Sequence, residues 1–277
     1  MEVDEGRRPI NGLSGPRPLE GRVALVTGST SGIGLGIAER LAADGARLVL
    51  NGFGDPREIE KTKDRIAFEH SVPVVYSDAD LSVPNEIVEM IRFAEDAVGE
   101  IDILVNNAGI QHVAAIEEFP LEKWDAILAI NLSSAFHAIR LTLPAMKRRQ
   151  WGRIVNIASA HGLVGSPFKS AYVAAKHGVL GLSKVVALEA AQSGVTCNTI
   201  CPGYVWTPLV EKQIEDQART HNIPRDKVIT DILLKAQPNK RFAQTSEIGA
   251  LTAFLCSEAA ASMTGAALPV DGGWTAQ

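Results

Sequence analysis

The residues best suited to acid–base chemistry are Tyr172 and Lys176, four positions apart in an Ala-rich segment that begins at Ser170. The segment contains no Pro, and its composition predicts a helix. Residues four apart share one face of a helix, so we expect the lysine cation beside the phenol. A tyrosine ordinarily titrates near pH ~10, and a nearby positive charge favours the phenolate. Such a tyrosine can take a proton from an alcohol or return one to a carbonyl.

Ser159 adds a hydroxyl that could hold the reacting oxygen. It follows an apolar run, residues 153–158, that predicts a buried strand. Taken alone, a Tyr-x-x-x-Lys pair is better explained as an exposed helix face. A catalytic interpretation therefore depends on the elements that position these three residues.

The composition sets the class of protein. The chain has 277 residues, a formal charge of −5, 46% hydrophobic residues and 21% charged residues. These values are typical of a globular protein with one large α/β domain or two small ones. The charge gives no basic footprint for nucleic acid, and no apolar run appears long enough to cross a bilayer.

Residues 1–19 differ from the rest of the chain, since they are rich in Gly and Pro and lack periodicity. They also lack the apolar core of a secretory signal, so we expect a flexible tail before a domain at 20–277 and a cytoplasmic location. Cys197, Cys201 and Cys256 lack metal-ligand spacing and are expected to be buried or free thiols in a reducing compartment.

A strand, a glycine-rich turn and a helix follow one another after the tail. Residues 22–27 form a Val-rich apolar run, the segment 28–34 reads Gly-Ser-Thr-Ser-Gly-Ile-Gly, and residues 35–44 have helical periodicity. Glycines allow close approach of a ligand, and free N–H groups at the helix start attract a phosphate. The same glycines could form a tight turn without a ligand, but this context strongly favours dinucleotide binding.

The second strand, residues 47–50, ends at Asn51, where a ribose is expected. Asn51 takes the place of the usual acidic residue, and no Arg or Lys follows until Arg57. A 2′-phosphate needs such a cation, so the pattern predicts NAD rather than NADP. After the third strand, Asp80 could accept from the adenine amino group or cap a helix.

Strands and helices alternate through the rest of the chain. Asn106 and Asn107 end the fourth strand, and Asn131 lies within a helical stretch, where a structural hydrogen bond is expected. Residues 207–240 are polar and broken by Pro, which is typical of a lid. The alternation predicts an α/β fold, a single-domain Rossmann-type doubly wound parallel sheet with a helical substrate lid.

Several motifs stand in one order: Thr27-Gly-x-x-x-Gly-x-Gly34, Asn106-Asn-Ala-Gly109, Asn131, Ser159, Tyr172-x-x-x-Lys176 and Pro202-Gly203. In this the chain resembles the short-chain dehydrogenase/reductase family over about residues 19–277. The resemblance implies that Tyr172 is the general acid/base, that Lys176 lowers its pKa and holds the nicotinamide ribose, and that Ser159 positions the substrate oxygen. It also implies that Asn131 supports a proton-relay water and that Thr207 bonds the carboxamide. The implied cofactor-binding residues are Gly28, Thr30, Ser31, Gly32, Ile33, Gly34, Asn51, Phe53, Asp80, Leu81, Asn107, Ala108, Gly109, Tyr172, Lys176, Pro202, Gly203, Val205 and Thr207.

Within that family, the chain is most similar to members that act on (R)-3-hydroxybutyrate. The likeness lies in segments such as 51–54, 109–112, 159–162, 169–172, 207–213 and 271–275. It implies reversible, NAD-dependent oxidation of this acid to acetoacetate. A cation with neutral donors could hold the small carboxylate. The implied substrate-binding residues are Gln111, Ser159, His161, Lys169, Tyr172, Gln213 and Trp274.

Other functions stay open at this point. A 3-oxoacyl-thioester reductase would need an open pocket and usually NADPH, a polyol or sugar dehydrogenase would act on neutral alcohols, and a nucleotide-sensing protein would keep the fold without turnover. The family resemblance further implies a homo-oligomer, with a tetramer favoured. No metal site is expected.

Overall fold

The computed structural model describes residues 17–276. Within them, seven parallel strands form one sheet in the order β3-β2-β1-β4-β5-β6-β7. The predicted α/β fold with a doubly wound parallel sheet is confirmed. The strands are β1 Val23–Val26, β2 Arg47–Asn51, β3 Val74–Ser77, β4 Ile103–Asn106, β5 Gly152–Ile157, β6 Val195–Pro202 and β7 Ala267–Val270.

Helices cover both faces of this sheet. Their bounds are α1 Gly32–Ala43, α2 Pro56–His70, α3 Pro84–Val98, α4 Leu121–Leu128, α5 Ser134–Arg149, α6 Ser170–Ala190, α7 Pro208–His221, α8 Arg225–Lys227 and α9 Thr245–Cys256. Residues of α1, α2 and α9 pack in one core cluster, and residues of α3, α5 and α6 pack in the other.

The strands separate the two clusters by simple alternation. In β1, Ala24 and Val26 belong to the first cluster, and Val23 and Leu25 belong to the second. Successive side chains of a strand point to opposite faces. Because both faces are covered, the central strands β1 and β4 are almost entirely apolar, which made them recognisable in the sequence.

The order of the strands places the site. β1 pairs with β2 on one side and with β4 on the other. Strands β1 to β3 are added on one side of the sheet and β4 to β7 on the other, so the strand order reverses between β1 and β4. Ligands of such sheets bind outside the carboxyl ends of the strands at this switch point. The glycine loop follows β1, Asn107 follows β4 and Ser159 follows β5, so all three lie at that edge.

The predicted lid is helical. It contains α7, α8, a π-helical turn at Val228–Leu233 and a 3₁₀ turn at Leu234–Ala236. Its buried side chains, among them Ile214 and Val228, form a cluster of their own together with Phe242, which follows the lid.

The folded part of the chain extends further toward the N-terminus than predicted. Leu19 is 1% exposed and packs in the first core cluster, and its N–H donates to the Asp44 carbonyl at 2.9 Å. The Arg17 guanidinium donates to the His70 carbonyl at 2.9 Å. Residues 17–19 are therefore part of the fold, while the rest of the predicted tail, residues 1–16, lies outside the described residues.

One described helical stretch, Leu121–Arg149, is long and apolar enough by length and composition to cross a membrane. No apolar run of this length was predicted from the sequence. Core helices pass the same test, and Ile139, Leu143 and Met146 of this stretch lie in the second core cluster. The three cysteines are buried and free, as predicted.

Candidate active site

A groove of about 390 Å³ runs along the carboxyl ends of β1, β2 and β4. It brings together most of the predicted cofactor-binding residues. Those that line it are Gly28, Thr30, Ser31, Gly32, Ile33, Gly34, Asn51, Phe53, Asp80, Leu81, Asn107, Ala108, Gly109 and Thr207. Pro202, Gly203 and Val205 are not among its lining residues, and Val205 is instead buried in the first core cluster.

The glycine loop at the head of this groove depends on its glycines. Gly28 has a φ of +61°, which side-chain-bearing residues rarely adopt. A Cβ at Gly34 would lie 2.2 Å from the Gly28 carbonyl oxygen. The Asn107 amide donates to the carbonyls of Thr27 and Gly28, both at 2.9 Å. Asn107 therefore connects the end of β4 to the glycine loop at the cleft.

Asn51 has a different environment from the one predicted. It is 1% exposed. Its Oδ1 accepts from the Gly28 N–H at 3.4 Å, and its Nδ2 donates to the carbonyls of Ser77 and Ala79 at 3.2 and 3.0 Å. Asn51 thus holds the glycine loop against the end of β3, and it also lines the groove. Its place at the cofactor ribose stays a prediction. The next residue is Gly52, which has no side chain, and Phe53 is 66% exposed.

The groove carries no cation for a 2′-phosphate, since none of the described residues that line it is Lys or Arg. Asp80 lies on its wall. The Asp80 Oδ1 accepts from the Ser82 N–H and hydroxyl at 2.8 and 2.7 Å. Asp80 therefore stabilises the turn before α3, but it does not cap this helix, whose N-cap is Val83. Its role at the adenine amino group stays a prediction.

Ser159, Tyr172 and Lys176 are carried by neighbouring elements, as their spacing predicted. Ser159 follows β5, and Tyr172 and Lys176 lie on α6. The Lys176 Nζ lies 5.6 Å from the centroid of the Tyr172 ring and donates to the Ile157 carbonyl at 2.8 Å. An ammonium has three donors, so two protons of Lys176 are left for other partners. A phenol, a hydroxyl and an ammonium together form an acid–base group.

The pKa of Tyr172 is not lowered in this arrangement. Burial raises it above the ordinary value, the neighbouring Ser159 hydroxyl opposes that rise, and the Tyr204 phenol adds to it. The expectation that Lys176 brings this pKa down is therefore corrected, because loss of water around the phenol dominates. Burial also lowers the pKa of Lys176 to about 8.

Asn131 lies in a π-helical turn, Ala129–Ser133, between α4 and α5. Its Oδ1 accepts from the Ile110 N–H at 2.8 Å, and its Nδ2 donates to the Ile110 carbonyl at 2.9 Å. A Cβ at Gly109 would lie 3.5 Å from both the Asn131 Oδ1 and the Lys176 Nζ. The structural hydrogen bonds predicted for Asn131 are present, and they fix the loop after β4 beside Lys176. Its part in a water relay stays a prediction.

His161 lies between Tyr172 and Trp274. The His161 ring centroid is 6.2 Å from that of Tyr172 and 4.9 Å from that of Trp274. Trp274 also stacks on Tyr204, with centroids 6.0 Å apart and an interplanar angle of 7°. Burial and the nearby charge of Lys169 lower the pKa of His161 to about 4. His161 is therefore neutral at pH 7.

Lys169 is partly buried, and burial lowers its pKa. Among residues 17–276 no carboxylate pairs with the Lys169 ammonium and no hydrogen bond to its side chain is formed. A partly desolvated cation without a counter-charge is costly. Gln111 is exposed on the loop after β4, and Gln213 is partly exposed on α7. Within residues 17–276, no hydrogen bond joins the side-chain amide of Gln111 or of Gln213 to Lys169 or His161.

These features recur in known proteins. A family model described as short chain dehydrogenase matches residues 22–218. The chain belongs to the short-chain dehydrogenase family. A "D-beta-hydroxybutyrate dehydrogenase" of Rhizobium meliloti (strain 1021) is 57% identical to this dehydrogenase over 256 residues, which cover 92% of this chain and 99% of the relative.

Two further comparisons agree with this assignment. A "D-beta-hydroxybutyrate dehydrogenase" of Cupriavidus necator is 57% identical over 260 residues, with coverage of 94% of this chain and 100% of the relative. The crystal structure of levodione reductase superposes with a TM-score of 0.85 at 34% identity, covering 93% of this chain and 99% of that one. Membership of this family implies a nicotinamide cofactor.

Several residues of this dehydrogenase's site were not predicted. The groove wall also includes Gly52, Ala79, Ile110, Ile130, Pro208 and Leu209. Most of these adjoin residues that were predicted, so adjacency was the available signal. Tyr204 also adjoins predicted residues, Gly203 and Val205, but its stacking on Trp274 joins the segment after β6 to the C-terminal turn, a contact that adjacency does not predict. No group of three or more His, Cys, Asp or Glu in residues 17–276 is arranged to hold a metal ion.

Proposed function

We propose that this short-chain dehydrogenase oxidises (R)-3-hydroxybutyrate reversibly to acetoacetate with NAD. The observation that carries the substrate class is Lys169, a partly buried cation without a counter-charge among the described residues, beside a neutral His161 in the cleft of Tyr172. A substrate carboxylate supplies the missing charge, and a charge-assisted hydrogen bond to Lys169 is stronger than a neutral one. The names of the two relatives at 57% identity agree with this acid.

The proposed chemistry uses the residues of α6 and β5. Ser159 holds the substrate oxygen against Tyr172, and Tyr172 removes the hydroxyl proton during oxidation. Tyr172 can accept this proton only as the phenolate, after its own proton has been released to solvent. Because burial raises the pKa of Tyr172, the phenolate depends on a nearby positive charge, and the Lys176 ammonium lies 5.6 Å from the centroid of its ring. The two unused donors of Lys176 bind the ribose of the cofactor and stabilise the phenolate once it forms.

The residues of the groove fit a nicotinamide dinucleotide. Gly28 to Gly34 offer backbone N–H groups at the start of α1, where a diphosphate binds. When bound, the cofactor accepts the hydride from the substrate carbon. The choice of NAD over NADP rests on the lack of Lys and Arg among the described lining residues and on the acidic Asp80 in that wall.

The test is a set of initial rates. The purified protein is assayed with (R)- and (S)-3-hydroxybutyrate, each with NAD and with NADP, and reduced cofactor is followed by absorbance. We expect activity with the R acid and NAD. Activity with the S acid alone, or with NADP alone, contradicts the proposal.

The same assay separates the other functions. Turnover of acetoacetyl thioesters with NADPH, but not of the free acid, would identify a thioester reductase. Oxidation of neutral polyols with indifference to acids would identify a polyol dehydrogenase. Binding of NAD with no turnover of any alcohol would identify a nucleotide sensor.

We also propose that the dehydrogenase is a homo-oligomer that associates through α5 and α6, with a tetramer favoured. Three large apolar side chains on these helices are exposed: Phe136 is 48%, Val185 is 51% and Leu188 is 80% exposed. Exposed apolar groups in proximity favour association. Sedimentation equilibrium of the wild type tests this, and a monomer would contradict it.

A further inference from the structure

Phe168 has an unusual backbone conformation next to the proposed carboxylate site. Five described residues other than glycine have a left-handed backbone, and three of them, Ser71, Gln150 and Asn222, are ordinary C-caps of helices. Phe168 has a φ of +65° and caps no helix. For a bulky residue, a positive φ is a genuine outlier.

The turn that contains Phe168 would ordinarily use another residue type. Pro167 and Phe168 are its central residues. Pro in the first central position and a left-handed residue in the second is the pattern of a type II turn, which favours Gly or Asn at the second. The Phe168 ring is 58% exposed, so its burial does not explain the conformation. An unfavourable backbone conformation of this kind motivates a hypothesis of function.

The conformation directs the carbonyl group of Phe168. This oxygen accepts from the Ala114 N–H at 3.0 Å. Ala114 belongs to the loop after β4 that also carries Gln111, and Phe168 immediately precedes Lys169, the N-cap of α6. The turn therefore connects the loop that carries Gln111 with the backbone of Lys169, and both residues are proposed to bind the substrate carboxylate.

We propose that Phe168 is a positioning residue for the carboxylate end of the substrate, acting through its left-handed backbone. The turn sets the direction in which Lys169 leaves the backbone and holds the Gln111 loop against it. This inference rests on the proposed function. Because the backbone has this role, Gly and Asn should replace Phe168, and a β-branched residue should not.

The test compares F168G, F168N and F168V. For each, kcat and KM are measured with NAD on (R)-3-hydroxybutyrate and on its uncharged methyl ester. We expect F168V to lower kcat/KM for the acid about ten- to a hundredfold, mainly through KM, the range expected for loss of a charge-assisted hydrogen bond. The ester should react as in the wild type. F168G and F168N should keep the wild-type ratio of acid to ester.

A matched control uses a left-handed position away from the site. Gln150 caps α5 with a φ of +54°, so Q150V should lower the midpoint of thermal unfolding and leave the acid-to-ester ratio unchanged. If F168V does not fold, F168T carries the same β-branched restriction with a smaller, more polar side chain and should change the ratio in the same direction.

Two results would overturn the inference. Equal losses in F168G, F168N and F168V would assign the effect to the ring, and an unchanged ratio in F168V would remove Phe168 from the site. A wild type that does not distinguish acid from ester would instead refute the proposed function, so the two failures are distinguishable.

Discussion

Replacing Lys169 by Met removes the charge that the substrate carboxylate is proposed to bind while keeping much of the side-chain length. Lys169 is partly buried and has no counter-charge among the described residues. Loss of a hydrogen bond to a charged group costs about 1.5–3 kcal/mol. This corresponds to a rise in KM for (R)-3-hydroxybutyrate of about 10- to 150-fold. The value of kcat should change much less, since Lys169 holds the ground state as well as the transition state.

The same variant has an effect on His161 that a KM measurement does not show. Burial and, second, the charge of Lys169 lower the pKa of His161 to about 4. In K169M the second cause is absent, so the pKa of His161 should rise, while burial keeps it below the ordinary value of 6.5. NMR titration of the imidazole measures this pKa directly.

The stability of K169M and a matched control variant, K184M, provide two further checks. K169M should be at least as stable as the wild type, because the variant no longer buries an unpaired charge. Lys184 is exposed on α6, and K184M should leave KM and the His161 pKa unchanged. An unchanged KM in K169M would refute the placement of Lys169 in the substrate site, and an unchanged His161 pKa would refute the proximity of the two side chains.

Three other predictions concern the catalytic residue, the support of its helix and the effect of pH. Y172F should lower kcat about 10²- to 10⁴-fold and leave the dissociation constant for NADH unchanged; turnover at the wild-type rate would refute the acid/base assignment. Ser183 is 1% exposed and its hydroxyl accepts from the Asn156 Nδ2 and the Thr199 Oγ1, both at 2.7 Å. S183A leaves two buried donors unpaired and should lower the free energy of unfolding by about 2–4 kcal/mol, which urea denaturation measures; an unchanged midpoint would contradict this. The pKa of His161 is about 4 in the folded protein, below its ordinary value of 6.5. As the pH drops, the unfolded state therefore binds a proton before the folded state does. The free energy of unfolding should then fall between pH 6.5 and pH 4, by up to about 3 kcal/mol. H161Q should lack this part of the pH dependence, and an identical dependence in both proteins would count against a buried neutral imidazole.

Much of the fold was predictable because the strands are buried on both faces. β5 was expected at 153–158 and lies at Gly152–Ile157, and the expected helix from Ser170 begins there. The glycine loop was equally clear, because its strand and helix flank it directly. Such signals are local in sequence, and a single chain contains them in full.

The properties that the sequence did not predict depend on three-dimensional surroundings. The pKa of Tyr172 is set mainly by loss of water, which spacing along a helix does not reveal. The environment of Asn51 is set by hydrogen bonds to the ends of two other segments, at Gly28 and Ser77. Leu19 follows a Gly- and Pro-rich segment and was predicted to belong to a flexible tail, yet it packs in the core.

Two features of the site arise from contacts and backbone conformation that the sequence does not predict. Tyr204 contacts the site by stacking on Trp274. The two residues are 70 positions apart in the sequence. Phe168 adopts a left-handed backbone that its residue type disfavours. Local propensity gives the wrong expectation at such a position, and sites of function are where that failure is expected.

The most direct test of the account is the preference of the wild type for a charged substrate. The measurement is kcat/KM with NAD for (R)-3-hydroxybutyrate and for its methyl ester. If Lys169 and its neighbours bind a carboxylate, the acid should be preferred by about tenfold or more. Equal values for the two compounds would contradict the account, because they would leave the cation in the cleft without its proposed partner.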